Sequence, residues 1–161
     1  MTHCVNTRGV CGTQGCKRSF CGNHSPRGVI TVRHDSGGGI EEWLLIARRD
    51  WNRIFRNLQA GDTSAAGYFL QQSLEKYLKA FLLERGWALR KIHDLEVLLD
   101  YAINYAPDLD RFYSLCEEVS GYYFADRYPP LGSYEPSQDV LQMQIAQARE
   151  LVLALFPGET L

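Results

Sequence analysis

Tyr68-Phe-Leu-Gln-Gln-Ser-Leu-Glu-Lys-Tyr-Leu-Lys-Ala-Phe-Leu-Leu83 contains neither glycine nor proline and is built from residues that favour helix. At about 100° per residue, Leu70, Leu74, Tyr77 and Phe81 share one side while Gln72, Glu75, Lys76 and Lys79 gather on another. Phe69, Leu78, Leu82 and Leu83 widen the apolar part beyond a single seam, so neighbours must cover this helix on more than one side. It reads as the central helix of a bundle.

The flanking sequence supplies those neighbours. Leu44, Ala47, Trp51, Ile54, Phe55 and Leu58 recur at three- and four-residue steps, which predicts a first helix over about 41–60. Gly61 ends it, and Asp62 or Thr63 caps the central helix, which runs to about Arg85 before Gly86. The short connection makes the two antiparallel neighbours. Asp94 caps a third helix to about Tyr105, burying Leu95, Leu98 and Leu99 or Ala102, with Glu96 in its first turn. Pro107 and Asp108 reset the chain. A fourth helix then turns Leu109, Phe112, Tyr113, Cys116 and Val119 inward and ends near Tyr122 or Tyr123. Three prolines between Asp126 and Pro136 impose a loop. A fifth helix from about Ser137 to Phe156 places Leu141, Ile145, Ala148, Val152 and Leu155 on one side. No strand pattern, repeat or membrane span is legible. The expectation is an all-α, up-and-down bundle of about five helices.

With 161 residues, 45% hydrophobic and 22% charged, the chain can build one sizeable core. No run of about eighteen apolar residues and no signal-peptide core is present, which points to a cytoplasmic protein with no membrane partner. Residues 1–39 hold five Lys/Arg and one Asp, so the overall charge of −2 leaves the remainder near −6. Those first residues also hold eight glycines and no apolar period. They are expected to be a disordered or misassigned extension, with the domain over 40–161. Cys4, Cys11, Cys16 and Cys21, near His3 and His24, pose a zinc alternative, but their gaps of six, four and four residues lack paired C-x2-C knuckles. No metal site is assigned.

Gln71-Gln72-Ser-Leu-Glu75-Lys76-Tyr-Leu-Lys79-Ala80, the connector His93-Asp94-Leu95, and Asp126-Arg127-Tyr128-Pro129 before a terminal helix together resemble the HEPN domain family, over about 41–156. The resemblance implies a dimerising helical bundle that binds a nucleotide or RNA, or pairs with a minimal nucleotidyltransferase in a toxin–antitoxin or stress-related system, and it implies no cofactor. Several branches of the family are RNases that carry an Arg, four to six residues, then a His. A 2′-hydroxyl needs a proton acceptor to attack, and a guanidinium can meet the growing phosphate charge. Ahead of His93 that Arg would stand at 86, 87 or 88, where the chain has Gly86, Trp87 and Ala88. No catalytic residue is therefore assigned. The competing readings are an RNA-cleaving enzyme using His93 with Arg127, and a purely structural interaction module.

Two groups of residues remain as candidate contacts. Gln72, Lys76 and Lys79 read first as a solvated stripe with Glu75 and Lys79 paired at i,i+4; the resemblance makes the stripe, with His93, Arg127 and Tyr128, a ligand groove. His93 itself reads either as a hydrogen-bonded structural residue or as a phosphate contact at a helix N-terminus, where free amides favour anions. Arg48, Arg49, Arg53 and Arg56 lie within about a third of the circumference of the first helix, a candidate nucleic-acid face or a source of salt bridges to acidic neighbours. Tyr122, Tyr123, Tyr128 and Tyr134 make the following region aromatic, suited to a buried loop anchor or an interface.

Overall fold

A computed structural model describes residues 38–125 and 135–161. Expectations for the cysteine-rich extension and for Arg127, Tyr128 and Tyr134 lie outside those residues. Every regular element among the described residues is a helix: α1 (Gly38–Gln59), α2 (Thr63–Glu84), α3 (Leu95–Ile103), a 3-10 segment (Pro107–Phe112), α4 (Tyr113–Ala125) and α5 (Gln138–Leu155). α1, α3, α4 and α5 all pack against α2, the central helix.

The chain stops and restarts where local chemistry dictates. Gly61 (φ 76°) follows α1 and Gly86 (φ 82°) follows α2, both in the left-handed region that glycine enters without a Cβ penalty. Each closes its helix with the same pair of amide bonds: Gly61 N–H to Leu58 and Asp62 N–H to Asn57, then Gly86 N–H to Leu83 and Trp87 N–H to Leu82. Asp62 then begins α2 by accepting from Ala65 N–H at 2.8 Å. One residue thus belongs to the end of α1 and the start of α2, which turns them antiparallel. Ser137 caps α5 in the same way through Val140 N–H.

Leu70, Leu74, Tyr77, Leu78, Phe81 and Leu82 of α2 are buried, meeting Ala47, Trp51 and Ile54 of α1, Leu95, Leu98, Leu99 and Ala102 of α3, and Leu141, Ala148, Leu151 and Val152 of α5 in one core. Two expected core residues point outward: Phe55 and Tyr113 are each 38% exposed. For Tyr113 the reason is a break in winding. Pro107 opens a tighter 3-10 turn through Phe112, so the fourth helix is in two pieces and its α-helical part begins one residue later, with Leu115, Cys116 and Val119 inward. The displaced Tyr113 hydroxyl donates to Asp100 at 2.5 Å. That bond and the carboxylates nearby push its phenol up to about 12. Burial, with Glu96 and Asp94 adding, pushes the Cys116 thiol up to about 12 as well, leaving it an apolar core residue rather than a nucleophile.

α2 and α4 approach closely because Gly67 has no side chain. A Cβ there would stand 3.1 Å from the Tyr122 ring. That ring cannot retreat, since its hydroxyl donates to Gln144 at 2.8 Å and Gln144 in turn donates to Glu118 at 2.8 Å. In an open helix Gly→Ala gains about 1 kcal/mol, whereas overpacking costs about 1–3 kcal/mol. Gly67→Ala is therefore expected to lower stability by about 1 kcal/mol net in a urea titration; a gain in stability would show that the α2–α4 contact is loose.

Candidate functional site

The polar stripe of α2 is not solvated. Glu75 and Lys79 are 4% and 3% exposed, facing α1 and the α2–α3 connector, as is Asp50 of α1 at 3%. This corrects the solvated-stripe expectation: the i,i+4 pair exists, but in the interior. A buried charge is tolerated only when it is paired and hydrogen-bonded, and each of these is. Lys79 Nζ donates to Glu75 Oε1 at 2.7 Å and lies 5.5 Å from the centre of the Trp43 ring. Lys76 Nζ reaches Asp50 Oδ2 at 2.8 Å and Gln72 Oε1 at 2.9 Å. Arg53 Nη1 takes the other Asp50 oxygen at 2.7 Å and covers the Phe69 ring.

Two adjacent glutamines join the halves of this network. Gln72 Nε2 donates to Gln71 Oε1 at 2.7 Å, and Gln71 Nε2 donates to the His93 carbonyl at 2.8 Å, with a longer 3.5 Å approach to Glu75 Oε2. The polar chain therefore runs from Arg53 on α1 through α2 to the connector. Its last member is the His93 side chain, whose Nδ1 lies 3.2 Å from both oxygens of Glu75. The imidazole stacks on Tyr123 of α4, with ring centres 5.1 Å apart and planes 9° from parallel, and is still 47% exposed. A main-chain bond, a carboxylate and an aromatic face thus fix a ring whose outer edge meets solvent.

The start of α3 offers no anion site beside it. Leu95 N–H donates to Ser120 Oγ, Glu96 and Val97 N–H to Asp94 Oδ1, and Leu98 N–H to the Asp94 carbonyl. All four amides of that first turn are occupied, so the expectation of phosphate held by free amides next to His93 is corrected: any anion must be met by the imidazole itself. Glu96, partly desolvated and near Asp94, Glu117 and Asp100, has its carboxyl pushed upward.

The bundle and this stripe are what the HEPN domain family model matches, over residues 40–156. The chain belongs to the HEPN family. No curated protein and no solved structure matches it significantly. In this HEPN bundle the candidate residues named from sequence fall into three groups. Gln72, Lys76, Lys79 and His93 come together in one network; His93 is the exposed member, Gln72 and Lys76 are half-buried, and both lysines are spent on buried carboxylates. Of the arginines on α1, Arg48 forms a two-bond clamp with Glu159 at 2.7 and 2.8 Å and Arg53 is bound to Asp50. Arg49 and Arg56 are exposed and in no ion pair among the described residues, so that face offers two guanidiniums rather than four. Arg127 and Tyr128 lie outside the described residues.

Asp50 and Gln71 were not among the candidate contacts, Glu75 was read only as part of the stripe, and Tyr123 only as part of an aromatic loop anchor or interface. Asp50 had a signal: it is the lone acid among Arg48, Arg49, Arg53 and Arg56 of α1. The stacking of Tyr123 on His93 had none, since it depends on how α4 passes the connector. If Glu75 and Lys79 sustain each other in the interior, Glu75→Ala leaves an uncompensated ammonium and is expected to cost about 3 kcal/mol or more in chemical denaturation. Glu75→Leu combined with Lys79→Met should recover about 2 kcal/mol of that loss; a double variant no better than the single one would contradict the pairing.

Proposed function

We propose that this HEPN bundle is a non-catalytic binding module that takes a phosphate-bearing ligand, a nucleotide or the phosphate of an RNA strand, at the surface made by His93 and Tyr123. The observation that carries the reading is a half-exposed imidazole held by both oxygens of a buried carboxylate. The carboxylate fixes the orientation of the ring from behind and leaves its outer edge in solvent, where a ligand can reach it. Charge supports the same reading. The network behind the ring holds Arg53, Lys76 and Lys79 against Asp50 and Glu75, an excess of one positive charge in a domain that is otherwise acidic. The stacked rings add a flat edge against which a base can lie.

Binding is favoured over cleavage because, among the described residues, the guanidiniums flanking the connector in sequence are committed elsewhere. Arg85 donates to the Phe81 carbonyl and lies on the Phe81 ring, and Arg90 donates to Tyr101 at 3.1 Å. Among the described residues no arginine pairs with His93, and neither Arg85 nor Arg90 stands ready to meet the charge that develops on a phosphate under attack. A homodimer, or a minimal nucleotidyltransferase docked on the bundle, fits this reading without being required by it.

Labelled single-stranded RNA followed by fluorescence anisotropy, with thermal shifts for nucleotides, tests the proposal. His93→Ala is expected to weaken binding by about tenfold or more, roughly 1.4 kcal/mol, with RNA intact in both proteins. Cleavage by the native protein that vanishes in His93→Ala would make the protein a ribonuclease instead.

A further inference from the structure

The network does more than hold the ring in place; it decides which nitrogen carries the proton. Glu75 Oε1 already accepts from Lys79 at 2.7 Å, and both Glu75 oxygens face His93 Nδ1 at 3.2 Å. A carboxylate so engaged can only accept, so Nδ1 must be the N–H donor of the neutral ring. The opposite nitrogen, Nε2, is then an unprotonated lone pair on the ring's outer edge. The described groups around the ring agree with this arrangement: Glu75 and Lys79 come from α2, Asp94 is turned to the amides of α3, and Tyr123 of α4 lies flat against the ring face. Asp50, Lys76 and Arg53 are paired with one another farther along the network.

An outward lone pair selects among phosphates. A phosphomonoester keeps a second ionisable proton, lost at about pH 6. It can therefore bring its own proton to the contact, as an O–H donating to the Nε2 lone pair of the neutral ring. A phosphodiester carries no such proton at neutral pH, and its oxygens meet the lone pair as acceptor against acceptor. We infer that His93, held in its Nδ1–H form by Glu75, is a recognition site for a terminal phosphate, that of a nucleoside monophosphate or of an RNA end, in preference to phosphodiesters within a strand. The inference rests on the phosphate-binding reading above and names the ligand class for it.

Two measurements on the full chain test it. Long-range ¹H–¹⁵N spectra of the imidazoles at pH 8, with His93 assigned through His93→Ala, are expected to show the Nδ1–H form, against the preference of free histidine for Nε2–H. Titration with AMP, cyclic 3′,5′-AMP and adenosine, which share base and sugar, is expected to give AMP binding at least about tenfold tighter than either of the others, with the shift centred on His93 Nε2. In Glu75→Leu with Lys79→Met, which removes both charges together, the Nε2–H form should return and the preference for AMP should fall about tenfold, with the helical circular dichroism unchanged. An Nε2–H signal in the native protein, equal affinity for AMP and cyclic AMP, or no AMP binding overturns the inference. RNA binding that depends on His93 without AMP binding leaves the broader phosphate-binding reading standing, and absence of both removes that reading too.

Discussion

The rest of the structure depends on an ion pair in the interior. Glu75 and Lys79, one turn apart on α2, are both buried, and neither can be there without the other. Their presence obliges the surroundings to be polar in specific places: Gln71 to reach the connector, Trp43 to face the ammonium, and His93 to give Glu75 its remaining hydrogen bond. A second pair, Asp50 with Lys76, imposes the same requirement on α1 and ties that helix to α2 at a fixed rotation. The apolar core holds the helices together, while the charged network selects their register. An oily stripe alone would tolerate sliding by a turn; a carboxylate that must find its ammonium does not.

Helix ends were legible from the sequence because their causes are local. Gly61, Gly86, Asp62, Asp94 and Ser137 act within a few residues of themselves, and each stands where its chemistry placed it. The core faces of α3 and α5 followed from spacing for the same reason. Phe55 and Tyr113 were misplaced because inward and outward depend on neighbours. In the second case a 3-10 segment winds about 3.0 residues per turn where spacing arguments assume about 3.6 throughout.

The site was only partly legible, for one physical reason. Glu and Lys four residues apart look the same in sequence whether they decorate a surface helix or anchor a core. What separates the two is whether another helix lies over them, and Trp43, Asp50 and the α2–α3 connector lie over this pair. The HEPN signature of α2 therefore has a structural meaning in this chain. Its glutamines, glutamate and lysines are scaffolding for the histidine that follows, and the lysines that first look like ligand contacts are counter-charges. Within the described residues the part of this network that meets solvent is small: an imidazole edge with a tyrosine stacked on it.

The exchange of the Lys79 ammonium protons tests this account most directly. Surface lysines exchange too fast to be seen at neutral pH and room temperature, whereas an ammonium locked against Glu75 and covered by Trp43 should give a resolved ¹H–¹⁵N cross-peak with contacts to the indole ring. The account predicts that peak, and predicts its loss in Glu75→Gln. A Lys79 ammonium that exchanges like the surface lysines would mean that the pair is open to water and that nothing in the interior holds His93.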